Sequence, residues 1–223
     1  MWPCSPTRRA LLATAAGLAA SGCSALDGEP RGNRPVVAEH PATTGLAEVP
    51  RLGPEATSAE TVVVEFGDPS CPQCARFAER TFPELRSQYV DAGHMTYVWR
   101  GLPTVEPWAR RAVSVLLATH ARDPATFWWL KYMYHEGHTV VTAGDVVERA
   151  VDWLAERDDV DGRAVRDDVA DGTFADRIET DERVAAASDV ETVPSFVLFR
   201  EGEYVTTVFG PQSPAVFANA LSL

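Results

Sequence analysis

Thr61-Val62-Val63-Val64-Glu65-Phe66-Gly67-Asp68-Pro69-Ser70-Cys71-Pro72-Gln73-Cys74 decides how the rest of the chain is read. Its first part is a short β-branched run bounded by Gly67 and Pro69, which predicts a buried central strand. The two cysteines that follow stand three apart and can meet across the first turn of a helix. There the backbone N–H groups and the positive end of the helix dipole favour a thiolate, the species that attacks disulfides. Pro72 suits that first turn because its missing N–H would be unpaired there in any case. Arg76 and Arg80 lie further along the same predicted helix, 71–90, which Pro83 is expected to kink or break near Thr81.

Downstream, His94 to Arg100 alternates Met95, Tyr97 and Trp99 against Thr96 and Val98, as a second strand would. Beyond Gly101-Leu102-Pro103 the pattern turns helical. Glu106 with Pro107 and Asp123 with Pro124 open helices, and Thr142 to Asp145 offers a capping box before Val146, Val147, Ala150, Val151 and Leu154. Further helices are predicted over 162–169 and 174–188. Ser195 to Phe199, a turn at Glu201-Gly202 and Tyr204 to Phe209 read as an antiparallel hairpin, and Ser213-Pro214 opens a closing helix to Leu221. The order strand, helix, strand, long helical stretch, hairpin, helix predicts an α/β thioredoxin fold. An all-α insertion of about 104–190 separates its βαβ half from its C-terminal ββα half.

Upstream, Thr7-Arg8-Arg9-Ala10-Leu11-Leu12 leads an apolar run that ends in Ser21-Gly22-Cys23. Ala10 to Ala20 is 11 residues, short of the ~20 that span a bilayer, so the segment reads as an export signal over 1–23. Paired arginines resemble a twin-arginine signal, and small residues ending in Cys23 resemble a lipoprotein box with Cys23 as the lipidated residue. Ala20 departs from that box, and cleavage without a lipid is the alternative. Residues 24–58, rich in proline and glycine, read as a tether, part of which could pack as an added edge segment. Residues 59–223 then form one domain.

Of four cysteines, Cys4 lies in the leader and Cys23 at the anchor, so the mature domain keeps Cys71 and Cys74 alone. No structural disulfide framework can be built from them. Zinc needs four ligands, and His94, His120, His135 and His138 could supply the rest only by tertiary coincidence. His135 and His138 are expected on an exposed helix end, and no metal or cofactor is expected.

The 223 residues carry a net charge of -12. Without Arg8 and Arg9, the 20 basic residues become 18 against 32 acidic ones, a balance of -14, which makes nucleic acid an unsuitable partner. Lys131 is the sole lysine. Acidic pairs at Asp158-Asp159, Asp167-Asp168 and Asp181-Glu182 fall on predicted helices, resembling the acid-rich, lysine-poor surfaces of proteins from salty environments, where screening tolerates self-repulsion. An acidic, arginine-rich proteome is the plainer source. Trp128, Trp129 and Tyr132 are expected in the core, with edges that could shape a groove for unfolded peptide.

Over about 61–221 the chain resembles DsbA-like thiol:disulfide oxidoreductases of the thioredoxin superfamily. Three matches carry the resemblance: Val62-Val63-Val64-Glu65-Phe66 leading into Cys71-Pro72-Gln73-Cys74, the helical insert after Gly101-Leu102-Pro103, and Glu191-Thr192-Val193-Pro194-Ser195-Phe196 before the hairpin. It implies that Cys71 is the exposed nucleophile, that Cys74 is the buried resolving thiol, and that Val193-Pro194 is a cis bond whose loop pairs with bound peptide. Glu65 stands six residues before Cys71 in an apolar strand, where family members commonly carry an acid. It would pass a proton to or from Cys74; an exposed edge residue is the alternative.

Strongly oxidising members often have a histidine between the cysteines. Gln73 offers only a neutral donor, so the disulfide is expected to be less oxidising. Oxidation of exported proteins that carry thiols or disulfides is the first expectation, with reduction and isomerisation left open. The setting is the extracytoplasmic cell surface, with a lipid anchor in the membrane and a membrane electron-transfer partner whose identity the sequence does not give. Two other classes compete: a non-catalytic, membrane-tethered binding lipoprotein with a permanently closed disulfide, and metal transfer through the cysteine pair.

Overall fold

The structure, a computed structural model, describes residues 40–56, 58–157 and 160–223. The valine run forms β2 (Thr61–Gly67), buried along its whole length. It sits at the middle of a five-stranded sheet in the order β1-β3-β2-β4-β5. β3 (Met95–Gly101) runs parallel to it, with Thr61 opposite Met95 and Glu65 opposite Trp99. A parallel pair needs a crossover, and α1 (Pro72–Arg80) and α2 (Phe82–Leu85), continued by a π-helical turn over Arg86–Val90, supply it. The break at Thr81 falls two residues before Pro83, which has no N–H to continue the helical ladder, and the Thr81 hydroxyl donates across to the Gln212 carbonyl at 2.7 Å.

β4 (Ser195–Arg200) pairs antiparallel with β2 on its other side, and β5 (Glu203–Phe209) closes the hairpin and the sheet edge. Among the described residues, five helices lie between β3 and β4: α3 (Ala109–His120), α4 (Pro124–Gly137), α5 (Val146–Ala155), α6 (Gly162–Asp171) and α7 (Ala175–Ala187). They pack round a core of their own that includes Leu116, Phe127, Leu130, Tyr134 and Leu154. This is the α/β thioredoxin fold with a helical insertion that the element order predicts.

The two-residue period of β2 sorts its side chains between two further cores. Val62, Val64 and Phe66 face Val98, Val197 and Phe199 and the α7 residues Val184 and Ala185. Val63 faces Tyr97, Phe196 and Leu198, with Phe77 from α1 and Phe217 from α8 (Pro214–Leu221). Glu65, two residues from Val63, therefore points to the side that carries α1.

Several expectations are corrected. Of the segment 24–58 read as a tether, the part from His40 onward packs on the domain, with the added edge segment that the same reading allowed. Two 3-10 turns, Pro41–Thr43 and Leu46–Glu48, lead into β1 (Arg51–Leu52), which pairs antiparallel with β3. Ala42, Val49 and Ala56 join the second core, so the folded domain reaches back at least to His40 rather than starting at 59. Asp181, expected on a solvated acidic face, is buried against Arg100. His135, expected on an exposed helix end, is 1% exposed on the inner face of α4. Tyr132 turns outward and donates to Glu136 at 2.6 Å, while Trp128 and Trp129 are partly buried against the helical core. The capping box forms by half: Asp145 accepts from the Thr142 N–H at 2.7 Å, but the Thr142 hydroxyl donates to the same carboxylate rather than capping the helix. The leader, Cys23 and the pair Asp158-Asp159 lie outside the described residues.

Candidate active site

Cys71 occupies the N-cap of α1, with extended backbone angles (φ -81°, ψ 121°), and Pro72 takes the first helical position. The cap turns the Cys71 sulfur back over the helix start, where it accepts from the Cys74 N–H at 3.4 Å. On its other side the thiol faces the Val193 carbonyl oxygen at 3.7 Å. The Val193-Pro194 bond is cis, and the Gly210 N–H donates to the Pro194 carbonyl at 2.8 Å, tying this loop to the end of β5. Pro72 and Gln73 are exposed at the rim, whereas Cys74 is fully buried. Both cysteines are free thiols.

One expectation about Cys71 changes in degree: the residue implied to be exposed is only 4% so. Its thiol is turned inward between the helix start and the Val193 carbonyl, which leaves a narrow approach.

The two thiols are electrostatically unequal. The Cys74 thiol, as donor, holds Cys71 down to about 7; N–H groups of Cys74 and Gln73 help, while burial and the Asp68 carboxylate oppose. Burial chiefly pushes Cys74 well above the ordinary thiol range, with Cys71 and the nearby Glu65 charge adding to it. One cysteine is poised as a nucleophile near neutrality, and the other keeps its proton until something removes it.

Glu65 is fully buried, near enough to Cys74 for its charge to act on that thiol. Its Oε2 accepts from the Tyr97 hydroxyl at 2.5 Å and from the Lys131 ammonium at 3.1 Å. Tyr97 comes from β3, two residues before Trp99, and Lys131 comes from α4 in the insert. Lys131 Nζ also lies 5.9 Å from the ring centroids of both Trp99 and Trp128. Its surroundings are thus one carboxylate and two aromatic faces, as a desolvated ammonium requires.

A second buried carboxylate frames Cys71. Asp68 Oδ1 accepts from the N–H and hydroxyl of Ser70 at 2.7 and 2.6 Å, and Oδ2 accepts from the N–H groups of Thr104 and Val105, each at 2.8 Å. Four donors leave it fully satisfied. It bolts the loop leading to Cys71 onto the loop following β3, and the Cys71 N–H donates to the Asp68 carbonyl at 3.1 Å.

The structure thus gathers Cys71, Cys74, Pro72, Gln73, Val193, Pro194 and Glu65 at one end of the sheet. Sequence reasoning missed Lys131, Tyr97 and Asp68. A signal for Lys131 existed: the only lysine in the chain sits inside the apolar stretch Phe127–Tyr134, where a solvent-seeking residue has no evident place. Arg76 and Arg80 remain exposed along α1. Among the described residues, no group of three or more His, Cys, Asp or Glu side chains is placed to hold a metal ion.

A family model described as thioredoxin matches residues 52–206. The Na(+)/H(+) antiporter NhaA 1 of Salinispora arenicola is 35% identical over 140 residues, 62% of this chain and 20% of the antiporter. The chain therefore spans only a fifth of that relative. Disulfide bond formation protein D of Bacillus subtilis is 23% identical over 147 residues, 66% of this chain and 65% of that protein. Among solved structures, alpha-DsbA1 of Wolbachia pipientis superposes with a TM-score of 0.65 at 17% identity, covering 78% of this chain and 89% of that one.

Proposed function

The chain belongs to the thioredoxin family, and from that premise we propose that it is an exported thiol:disulfide oxidoreductase that oxidises proteins at the cell surface through Cys71 and Cys74. The observation that carries this reading is the inequality of the two thiols: Cys71 brought to about 7 beside the Val193 carbonyl, and Cys74 buried with its proton retained.

The cycle starts from the Cys71–Cys74 disulfide. A substrate thiolate attacks the Cys71 sulfur, the S–S bond breaks, and Cys74 leaves as a thiolate that takes a proton from Glu65. A second substrate thiolate then attacks the substrate's own sulfur in the mixed disulfide, and Cys71 leaves as a thiolate. Two electrons pass from substrate to enzyme. Stabilising the Cys71 thiolate stabilises the reduced enzyme, which makes the disulfide more oxidising. Val193 and Pro194 offer backbone groups to the bound peptide beside the reacting sulfur. Lys131 and Tyr97 hold the Glu65 carboxylate in place.

The leader supports export: the Arg8-Arg9 pair fits a twin-arginine signal, and lipidation at Cys23 would tether the domain to the membrane, where an electron-transfer partner would reoxidise it. The acidic, lysine-poor composition fits a saline setting.

The test is a Cys74→Ala variant, in which the Cys71 thiolate can still attack a disulfide of an exported protein, releasing one of its two sulfurs as a thiolate, and should accumulate the mixed disulfide because Cys74 is not there to displace it. A variant that traps none would count against the mechanism. The same variant removes the main support of the Cys71 thiolate, so the midpoint of its alkylation by iodoacetamide should move up from about 7. In the intact reduced protein, alkylation at pH 5 should run about 100-fold slower than on the alkaline plateau, since only ~1% of a thiol is ionised two units below its midpoint. Direction is tested by a redox titration of the Cys71/Cys74 couple: a value near about -120 mV fits an oxidase and one near about -270 mV a reductase.

A further inference from the structure

The outer face of α1 carries its charges unevenly. Cys74, Ala75 and Phe77 turn inward, while Gln73, Arg76 and Arg80 are exposed and recur at the i, i+3, i+7 spacing of one helix face. Elsewhere on the surface, arginines such as Arg110, Arg122, Arg149 and Arg166 pair with carboxylates. Arg76 and Arg80 make no ion pair among the described residues, although acidic residues outnumber basic ones 32 to 20 in the chain. Their face leads away from the reacting sulfur beside the loop that holds Pro194. Thr81, next to Arg80, donates to the Gln212 carbonyl at 2.7 Å, and two residues earlier in that loop the Gly210 N–H donates to the Pro194 carbonyl at 2.8 Å. Two acids near the site stand on the other flank. Glu79 is near enough to Tyr132 of α4 for its charge to act on that hydroxyl, and Glu106 follows β3, on the far side of β2 from β4.

We propose that this face docks an acidic segment of the substrate protein, with Arg76 and Arg80 each taking a carboxylate close in sequence to the reacting cysteine. The inference deepens the oxidoreductase reading and rests on it. A substrate that shares the acid-rich composition of this chain is repelled by the molecule as a whole. Two guanidiniums without internal partners offset that repulsion where the sulfurs must meet, and each presents a planar fork that fits a carboxylate bidentately. Such a contact outlasts the long-range field in salt, because screening acts most on separated charges. Reach sets the spacing. Arg76 lies about 7 Å and Arg80 about 13 Å along the helix axis from Cys71, at about 1.5 Å per residue. An extended peptide covers those spans in about two and about four residues, and residues two and four from its cysteine share the cysteine's face. The preferred substrate therefore carries acids at those two positions.

The experiment uses the full reduced protein and two peptides with a single cysteine, alike except for the residues two and four positions to either side of it, glutamate in one and glutamine in the other. Each cysteine is activated as a mixed disulfide with thionitrobenzoate. The Cys71 thiolate attacks the peptide sulfur, thionitrobenzoate leaves as a coloured thiolate, and Cys74 then displaces the peptide as its thiol while the Cys71–Cys74 disulfide forms. The glutamate peptide should release the colour about fivefold faster at physiological ionic strength, the worth of two exposed ion pairs. In Arg76→Gln/Arg80→Gln that ratio should fall to about one, and in Arg76→Glu/Arg80→Glu a lysine peptide should become the faster. Equal rates for the two peptides in the parent protein overturn the inference. So does a ratio kept in Arg76→Gln/Arg80→Gln, even with both rates lowered, since the arginines would then act on Cys71 itself. Equal peptide rates together with phosphatidylglycerol vesicle binding that this double variant loses would give the face to a membrane instead. Release from neither peptide strikes the exchange chemistry and this inference with it, whereas equal release strikes the docking face alone.

Discussion

Arg100→Met is expected to destabilise the protein by about 3–5 kcal/mol, the usual result of removing one partner of a buried ion pair. Arg100 is completely buried on β3 and its Nη1 meets the Asp181 carboxylate of α7. Its Nε donates to the Ala42 carbonyl at 3.2 Å and its Nη2 to the Thr44 carbonyl. Burial lowers its proton affinity, while Asp181 raises it again. One guanidinium thus holds together the central sheet, the N-terminal turns and the last helix of the insert. Methionine fills similar volume but leaves Asp181 with Arg177 as its one cationic partner among the described residues, at 3.3 Å, and strands the carbonyl of the buried Ala42. For a domain of this size the loss corresponds to a fall in melting temperature of about 6–20 °C. A double variant, Arg100→Met with Asp181→Leu, should recover part of it, because the charge left unpaired is then gone. A single variant within about 1 kcal/mol of the parent in urea unfolding would show that this clamp contributes little.

How much of this was legible depends on whether the signal is local. The valine run, the cysteine pair and the hairpin announce themselves through residues adjacent in sequence, and those elements fall where expected. The N-terminal segment does not: Ala42, Val49 and Ala56 are apolar but come singly among prolines and glycines, and much of what joins the segment to β3 is backbone. The Trp99 N–H donating to the Pro50 carbonyl at 2.9 Å leaves no mark on side-chain pattern. Arg100 misleads in the opposite way. Alternation places it beside Val98 on one face of β3, and a charged residue at a strand end suggests solvent, but here both faces are covered. Asp181 looks like its acidic neighbours on paper. Its burial follows from the face it shares with Ile178, Val184 and Ala185, a pattern weakened by the acidic residues between them. Glu65 could be singled out because a charge inside a valine strand is anomalous by itself. Its partners could not be assigned, since Tyr97 lies 32 residues away and Lys131 66 residues away, beyond any periodicity.

Those distant partners make Lys131→Met the second large effect. The ammonium donates to Glu65 Oε2 at 3.1 Å with both side chains buried, so methionine would leave a carboxylate in the core with Tyr97 as its remaining donor among the described residues. The cost should again be about 3–5 kcal/mol near neutral pH. One further result separates a lost charge partner from lost packing. Adding Glu65→Leu to Lys131→Met should restore most of the stability, since replacing both members of a buried pair by apolar groups is often neutral or better. That double variant should nevertheless resolve mixed disulfides slowly, for Cys74 then has no carboxyl to exchange a proton with. Recovery of stability without recovery of resolution, measured by thermal unfolding and by release of a trapped peptide, would assign Lys131 to holding the acid and Glu65 to the chemistry. If the double variant regained both, the buried pair would serve the fold alone.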